Sequence, residues 1–113
     1  MKNNFYITTP IYYPSAKPHM GHAYSSIVAD FFARFKRISN YNVFFLTGTD
    51  EHGQKIQRAA SEAKKDTLEF CNEISSNFKD LSFVLRLSND DFIRTTEKRH
   101  KKAVENLWKI LEK

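Results

Sequence analysis

The sequence of 113 residues contains little cysteine and no long apolar run. Its one cysteine, Cys71, excludes an internal disulfide bond and a cysteine-rich zinc site, and so favours a reducing compartment. No apolar run approaches the roughly 20 residues of a membrane-spanning helix, and the opening residues Met-Lys-Asn-Asn provide no apolar signal core. We therefore expect a cytoplasmic location and no membrane partner.

Glycine and proline are also scarce, with three residues of each, and they cluster in two places. Residues 10–22 hold all three prolines, two of the four histidines and Gly21. Gly48 and Gly53 bracket the polar run Thr-Asp-Glu-His. Each place follows a short apolar run and precedes a helical pattern, which is where open α/β sheets form their ligand crevice. These two segments are the candidate functional sites.

The composition is that of one globular domain. Apolar residues make up 41% of the chain and aromatic residues 14%, which is enough for a hydrophobic core at this length. The net charge of +5 favours an anionic partner such as a nucleotide or RNA, although a charge of this size also simply keeps small domains soluble.

Hydrophobic periodicity predicts alternating strands and helices. Short aromatic and β-branched runs predict strands at residues 5–8, 43–46 and 92–96, and residues 48–53 are predicted as a loop. Apolar residues at three- and four-residue steps predict four helices: an amphipathic one of roughly 18 residues from Gly21, one over 54–64, one from a cap at Asp66-Thr67 towards Leu85, and a last one capped by Thr96.

This order predicts an α/β fold, a Rossmann-like parallel sheet with right-handed crossovers and flanking helices. The chain stops within a helical pattern at residues 111–113, after three candidate strands. We therefore expect residues 1–113 to be the amino-terminal half of a nucleotide-binding catalytic domain, a fragment of a longer chain. The alternative is a complete small domain with a three-stranded sheet.

The first segment carries His19-Met20-Gly21-His22 where a strand has ended and a helix begins. Backbone amides at a helix N-terminus stabilise a phosphate. The spacing places both imidazoles on one face of the first turn, and two such donors suit an α-phosphate that gains charge during in-line displacement. Gly21 has no side chain, so that a base or ribose can lie against the backbone. The motif therefore predicts ATP binding, with His19 and His22 as catalytic residues.

Other interpretations of these residues stay open. A zinc site on His-x-x-His needs further ligands, and a metalloprotease helix would carry His-Glu-x-x-His, whereas position 20 is Met, so we predict no metal site. The two histidines alone would also fit plain capping and packing. Cys71 fits a buried apolar residue better than a catalytic thiol. His100, within the basic run 98–102, fits a solvated helix face better than an RNA contact.

The motifs together resemble one family. The segments that carry the resemblance are Thr8-Thr-Pro-Ile-Tyr-Tyr-Pro, His19-Met-Gly-His22-Ala-Tyr, Ala29-Asp-Phe, Phe44-Phe-Leu-Thr-Gly-Thr-Asp-Glu-His-Gly53 and Asp91-Phe-Ile-Arg-Thr-Thr. They resemble the start of methionyl-tRNA synthetases over nearly the whole chain. The His-x-Gly-His motif alone would indicate only class I synthetases or related nucleotidyltransferases, and the flanking segments make the resemblance specific. Met20 stands where the generic signature has isoleucine, a change that conserves volume.

The resemblance implies an aminoacyl-tRNA ligase that activates methionine with ATP and Mg²⁺ and transfers it to the 3′ end of its tRNA. It implies that the fold is the first half of a class I synthetase catalytic domain. It also implies residue roles: His19 and His22 act on the α-phosphate, Gly21 makes room for the adenosine, Ile11 and Tyr13 line the methionine pocket, and Asp50 binds the methionine ammonium. Taken alone, Asp50 is equally a turn or cap residue.

Other parts of such enzymes have no counterpart in these 113 residues. They are the second ATP-binding signature, the anticodon-binding domain and a connective insertion, which is the only place where the resemblance implies zinc. We therefore expect the 113 residues alone to bind substrates weakly and not to turn over. Two rival functions are another class I synthetase or His-x-Gly-His nucleotidyltransferase, and a non-catalytic RNA-binding module derived from a synthetase.

Overall fold

The computed structural model describes residues 2–112. Its elements are β1 Asn4–Thr8, α1 Met20–Ile38, β2 Asn42–Thr49, α2 Gln54–Glu62, α3 Thr67–Val84, β3 Asp91–Arg94 and α4 Lys98–Leu111. The three strands are parallel and lie in the order β1-β2-β3. The predicted α/β fold with a parallel sheet is confirmed.

Strand β2 is longer than the sequence pattern predicted, because it continues through Gly48 and Thr49. Gly48 lies opposite Ile93 of β3. A Cβ atom at position 48 would stand 1.9 Å from the Ile93 carbonyl oxygen. The prediction that Gly48 begins a loop was therefore wrong: it is a strand glycine that permits the close approach of β3.

Helices α1 and α3 cover the same face of the sheet. Ala29 of α1 packs with Phe45 of β2, and the Ser75 hydroxyl of α3 lies 2.9 Å from the Thr49 hydroxyl at the end of β2. Phe45 and Thr49 are an even number of residues apart, so their side chains lie on one face of the strand. Phe44, on the other face, is exposed. The sheet therefore has one covered and one open face in the described residues.

Helix α1 turns small side chains towards the sheet. Its buried residues are Ala23, Ser26, Ala29, Asp30 and Ala33. The large apolar side chains that predicted an amphipathic helix are exposed, namely Tyr24, Ile27, Val28, Phe31, Phe32, Phe35 and Ile38. Small residues at the contact let the helix axis lie close to the sheet, because the packing distance depends on the side chains between the two elements. The periodicity predicted the helix correctly, yet its large apolar side does not face this sheet.

The predicted caps have mixed outcomes. Asp66 caps α3 as predicted, since its carboxylate accepts hydrogen bonds from the Leu68 and Glu69 amides. The prediction that Thr96 caps α4 was wrong, because the N-cap is Glu97. The Thr96 hydroxyl instead donates to the Glu51 carboxylate. A buried carboxylate without a partner costs more free energy than an exposed helix end that water can solvate.

The larger hydrophobic cluster packs α2 and α3 against the segment between β1 and α1. Its buried members are Tyr12, Ile56, Ala60, Phe70, Cys71, Ile74 and Phe78. Cys71 is 1% exposed. Burial raises the pKa of its thiol, and the nearby Glu51 carboxylate raises it further. Cys71 is therefore a buried apolar residue, as predicted, and its environment does not favour the reactive thiolate.

Candidate active site

The segment between β1 and α1 is attached to the end of β2. The Tyr12 amide donates to the Gly48 carbonyl oxygen at 2.8 Å, and the Asp50 amide donates to the Tyr12 carbonyl oxygen at 2.8 Å. This bridge continues the parallel pairing beyond the end of β1. Ile11, Tyr13 and Asp50, the predicted methionine-site residues, are therefore neighbours along two adjacent backbones at the carboxyl edge of the sheet. Ile11 is 45% exposed there and adds apolar surface.

His19 and His22 form the start of α1. His19 is the N-cap, and its Nδ1 accepts a hydrogen bond from the Gly21 amide at 3.0 Å. His22 Nδ1 in turn accepts from the His19 amide at 3.0 Å. This is a reciprocal capping box in which imidazoles replace the usual hydroxyl and carboxyl groups. The ring centroids are 3.9 Å apart, so the two predicted catalytic histidines lie together at a helix N-terminus.

The backbone hydrogen bonds determine the tautomer of both rings. A ring nitrogen that accepts from an amide carries no proton, so in each neutral imidazole the proton is on Nε2. Each Nε2–H is then a donor directed away from the capping bonds. The amide groups of the first helical turn add a partial positive charge at the same place. The arrangement offers two Nε2–H donors and a helix N-terminus to an anion.

The environment keeps His22 uncharged. Partial burial lowers the pKa of His22, and the neighbouring His19 lowers it further. His22 is therefore neutral at pH 7 and donates through Nε2. A bound phosphate would oppose both effects, because a negative charge nearby stabilises the imidazolium form. Negative charge that develops on a bound anion would in turn be stabilised by the two rings.

Gly21 leaves room for the His19 ring. A Cβ atom at position 21 would lie 2.9 Å from His19 Cε1 and 3.1 Å from His19 Nδ1. A side chain there would displace the ring that caps the helix. The direct contact of Gly21 is thus with His19, and its part in binding adenosine stays a prediction.

Tyr12 connects the histidines to the core, and no sequence signal distinguishes it from Tyr13. It is 3% exposed. Its ring stacks on Phe78 with centroids 4.9 Å apart and meets the His22 ring edge-to-face at 5.3 Å. The Tyr12 hydroxyl donates to Ser26 Oγ, because the Ser26 hydroxyl itself donates to the His22 carbonyl oxygen at 2.7 Å. Tyr12 therefore holds His22 from the side opposite to solvent.

Tyr13 is held by the second glycine-bracketed segment. Its hydroxyl donates to the His52 carbonyl oxygen at 3.0 Å. Gly53 has φ of +118°, and a Cβ atom there would lie 2.5 Å from Tyr13 Oη. Glycine is required at position 53 both by its backbone conformation and by the tyrosine against it. The two segments identified from the sequence thus form one structural unit.

Two adjacent carboxylates at the end of β2 have different surroundings. Asp50 is half-buried, and within residues 2–112 its carboxylate makes no hydrogen bond or salt bridge. Glu51 is 3% exposed and forms a salt bridge with Arg94, Nε to Oε1 at 2.7 Å. Burial raises the pKa of Glu51, but hydrogen bonds from Arg94 and three hydroxyl groups lower it more, so the net pKa lies below its ordinary value. Asp50 is therefore the carboxylate available to a ligand, whereas the Glu51 carboxylate is bonded within the fold.

Other charged groups are less suited to a site. In the part of the chain that the structure describes, no group of three or more His, Cys, Asp or Glu side chains is placed to hold a metal ion. Within the basic run 98–102, the Arg99 guanidinium binds the Asp91 and Glu97 carboxylates. Helices long and apolar enough to cross a membrane are absent between residues 2 and 112.

The fold and the histidine pair define a class of protein. The chain belongs to the class I tRNA synthetases, since residues 5–113 match the model of the family described as tRNA synthetases class I (M). A structure of Mycobacterium tuberculosis methionyl-tRNA synthetase in complex with methionyl-adenylate is similar, with a TM-score of 0.92 and 47% sequence identity over 95% of this chain and 21% of that chain. The resemblance inferred from the motifs is confirmed at the level of the family.

Curated relatives agree with this assignment. The chain is 54% identical to a methionine–tRNA ligase of Rickettsia bellii over 111 residues, which are 98% of this chain and 22% of the relative. It is 56% identical to a methionine–tRNA ligase of Listeria monocytogenes over 110 residues, 97% of this chain and 17% of the relative. The chain thus spans about a fifth of the length of these relatives.

Proposed function

We propose that these residues are the amino-terminal part of the catalytic domain of a methionine–tRNA ligase. The complete protein would activate methionine with ATP to methionyl-adenylate and transfer the methionyl group to the 3′ end of its tRNA, in the cytoplasm. The observation that carries the proposal is the pair of Nε2–H donors at the start of α1. The family match and the relatives named methionine–tRNA ligase support it.

In the activation step, a carboxylate oxygen of methionine attacks the α-phosphorus of ATP and the bond to pyrophosphate breaks. Negative charge increases on the α-phosphate oxygens in the transition state, so donors placed there stabilise it more than the ground state. His19 and His22 would supply these donors through Nε2. The N-terminus of α1 would add its partial positive charge. Gly21 would leave the backbone open to the adenosine.

Methionine would bind beside this phosphate position, at the carboxyl edge of the sheet. Its ammonium group would pair with the Asp50 carboxylate, which needs a charged partner once a substrate excludes water. Ile11 and Tyr13 would contact the side chain, since an aromatic edge attracts a thioether by about 0.3–1.5 kcal/mol. The methionine side chain has no strong hydrogen-bonding group, so pocket shape would provide most of the discrimination.

Mg²⁺ would enter as part of the ATP substrate. This ion keeps several waters and is commonly held through substrate phosphates and one or two carboxylates. Residues 2–112 contain no cluster of carboxylates that would hold it without the nucleotide. When bound, Mg²⁺ would neutralise charge on the phosphates of ATP.

Amino-acid-dependent ATP–pyrophosphate exchange by the complete protein tests the proposal. We expect exchange with methionine and little or none with leucine, isoleucine, valine or cysteine. Exchange that depends on one of those amino acids instead would indicate another class I synthetase. No exchange, together with salt-sensitive RNA binding that survives alanine at both His19 and His22, would indicate an RNA-binding module. The pairing of Arg99 with two carboxylates already reduces the charge available for RNA.

A further inference from the structure

Glu51 has more hydrogen-bond partners than the other acidic side chains at this edge of the sheet. Its carboxylate lies at the end of β2 and is held by five hydrogen bonds. The donors are Thr49 of β2, Ser75 of α3, Arg94 of β3 through two nitrogens, and Thr96 in the turn after β3. The carboxylate thus joins two strands, one helix and one turn. Buried carboxylates need such a complete set of donors.

The backbone on either side of Glu51 is held as well. The Glu51 amide donates to Thr95 Oγ1 at 2.8 Å, and the Thr95 amide donates to the Thr49 carbonyl oxygen at 3.2 Å. The Asp50 amide donates to the Tyr12 carbonyl oxygen at 2.8 Å. The chain from 49 to 51 is therefore bound to β3 on one side and to the first segment on the other.

Asp50 differs from its surroundings in one respect. The backbone around it is hydrogen-bonded to Tyr12 on one side and to Thr95 on the other. Its carboxylate, in contrast, makes no hydrogen bond or salt bridge within residues 2–112. The Asp50 amide is bonded to Tyr12, and the Glu51 amide and carboxylate are bonded to Thr95 and Arg94, so the backbone from which the Asp50 side chain leaves is fixed on both sides. The position of the Asp50 carboxylate then depends on the Glu51 contacts.

Stability alone is a weak reason for a buried ion pair of this kind. The attraction between Glu51 and Arg94 must first offset the loss of hydration of both groups, and well-packed apolar residues often stabilise a fold as much. A carboxylate with five donors does provide a single fixed geometry, because every donor restricts its direction. The Arg94 guanidinium is itself fixed by a further bond to Asn72 Oδ1 at 2.7 Å.

We propose that Glu51 is a positioning residue for amino-acid binding: its contacts with Arg94, Ser75, Thr49 and Thr96 fix the backbone that presents Asp50 to the substrate ammonium group. This rests on the function proposed above. Glu51 touches neither substrate nor nucleotide in this role. Its loss should therefore weaken binding of the amino acid and leave binding of ATP at His19 and His22 largely intact.

Glu51→Gln in the complete protein tests the proposal. Gln has the same shape, but its amide NH₂ group faces donors that need an acceptor, which disrupts the fixed geometry. We expect the KM for methionine in ATP–pyrophosphate exchange to rise about 10-fold or more, because small misplacements of a binding group cost up to about 100-fold. The KM for ATP should change less than about 2-fold, given that its proposed ligands are elsewhere.

Asp30→Asn is the matched control. Asp30 is also a buried carboxylate with an arginine partner, Arg34, and it hydrogen-bonds Ser88 before β3, away from the candidate site. Both variants should lower the melting temperature, and only Glu51→Gln should raise the KM for methionine. A Glu51→Gln protein with a lower melting temperature and an unchanged KM for methionine would overturn the proposal. An equal rise in the KM for ATP would overturn it too.

Two further variants keep the test decisive if Glu51→Gln does not fold. Thr96→Val removes one donor to the carboxylate and should raise the KM for methionine about 2- to 5-fold with the KM for ATP unchanged. An unchanged KM for methionine in this variant would contradict the proposal. Arg94→Gln alone removes the two guanidinium donors to the carboxylate and should also raise the KM for methionine with the KM for ATP unchanged, and an unchanged KM for methionine would again contradict the proposal. The unmodified protein separates the two proposals: absence of methionine-dependent exchange in it would contradict the proposed function itself, whereas failure of the Glu51 proposal alone leaves that exchange intact.

Discussion

Two buried carboxylates lie at opposite ends of the strands of the sheet. Glu51 lies at the carboxyl edge and joins β2, β3 and α3 through Arg94 and three hydroxyl groups. Asp30 of α1 accepts hydrogen bonds from Arg34 Nε at 2.6 Å and from the Ser88 amide at 2.6 Å, just before β3 begins. Both groups satisfy a buried charge with an arginine and with polar groups from distant parts of the chain.

The edges differ in the groups that lie beside these carboxylates. At the carboxyl edge, Asp50 and the Nε2 atoms of His19 and His22 have no partner within residues 2–112. At the other end of the strands, the Asp30 carboxylate is hydrogen-bonded to Arg34 Nε and to the Ser88 hydroxyl. One cluster thus has all its polar groups bonded within the fold, and the other lies beside groups that stay available to a ligand.

Removal of both imidazoles gives the largest expected effect. Alanine at His19 and His22 should lower kcat for methionine-dependent ATP–pyrophosphate exchange by about 1,000-fold or more, because a single transition-state donor contributes about 100- to 1,000-fold. His100→Ala is the control, since His100 lies on α4 outside the histidine pair. A kcat of the double variant within about 10-fold of that of the unmodified protein would show that the histidine pair does not stabilise the transition state as proposed.

Asp50→Asn should give the second largest effect. The lost charge should lower kcat/KM for methionine about 10- to 100-fold, the equivalent of roughly 1.5–3 kcal/mol for a hydrogen bond to a charged group. The melting temperature should hardly change, because the carboxylate has no internal partner among the described residues. Asp80→Asn, on the exposed side of α3, controls for a change of surface charge. Unchanged kinetics in Asp50→Asn would show that the methionine ammonium group does not bind to Asp50.

Asp30→Asn should affect stability and not catalysis. It weakens bonds to Arg34 and Ser88, and we expect a loss of about 2 kcal/mol in the free energy of unfolding from weakened charged hydrogen bonds. Thermal unfolding of the complete protein measures this, and exchange kinetics well below the melting temperature should match those of the unmodified protein. Altered kinetics at that temperature would show that the Asp30 cluster, at the amino end of β3, also influences the candidate site.

The smallest expected effect is on the pH dependence of stability. The pKa of His22 lies below its ordinary value of 6.5 because of burial and His19. The unfolded chain therefore takes up a proton first, so the contribution of His22 to stability is complete above pH 6.5 and is lost as the pH falls through the lower folded pKa. Melting temperatures between pH 7.5 and pH 5 should fall more steeply for the unmodified protein than for His22→Asn. Equal slopes would show that His22 is not perturbed.

Local patterns predicted much of the fold and the histidine pair. Asp66 and the His19–His22 pair act within one helical turn, so sequence spacing alone contains their geometry. The side of α1 that meets the sheet could not be predicted, because periodicity defines a stripe without defining its partner. The small residues Ala29 and Ala33 make that contact, and the aromatic stripe does not.

The Glu51 cluster could not be predicted for a related reason. Its partners Ser75, Arg94 and Thr96 are 24, 43 and 45 residues away, so only the folded sheet brings them together. The same distance explains the wrong cap at Thr96, whose hydroxyl bonds across the sheet edge. Roles of individual residues in binding methionine and ATP stay predictions.

A crystal structure of the complete protein with methionyl-adenylate tests the central claim most directly. The distances to measure are those from Nε2 of His19 and of His22 to the nearest α-phosphate oxygen. We predict both to be about 2.7–3.2 Å, with each Nδ1 still bonded to its backbone amide. An adenylate whose phosphate lies beyond hydrogen-bond distance of both rings would contradict the account.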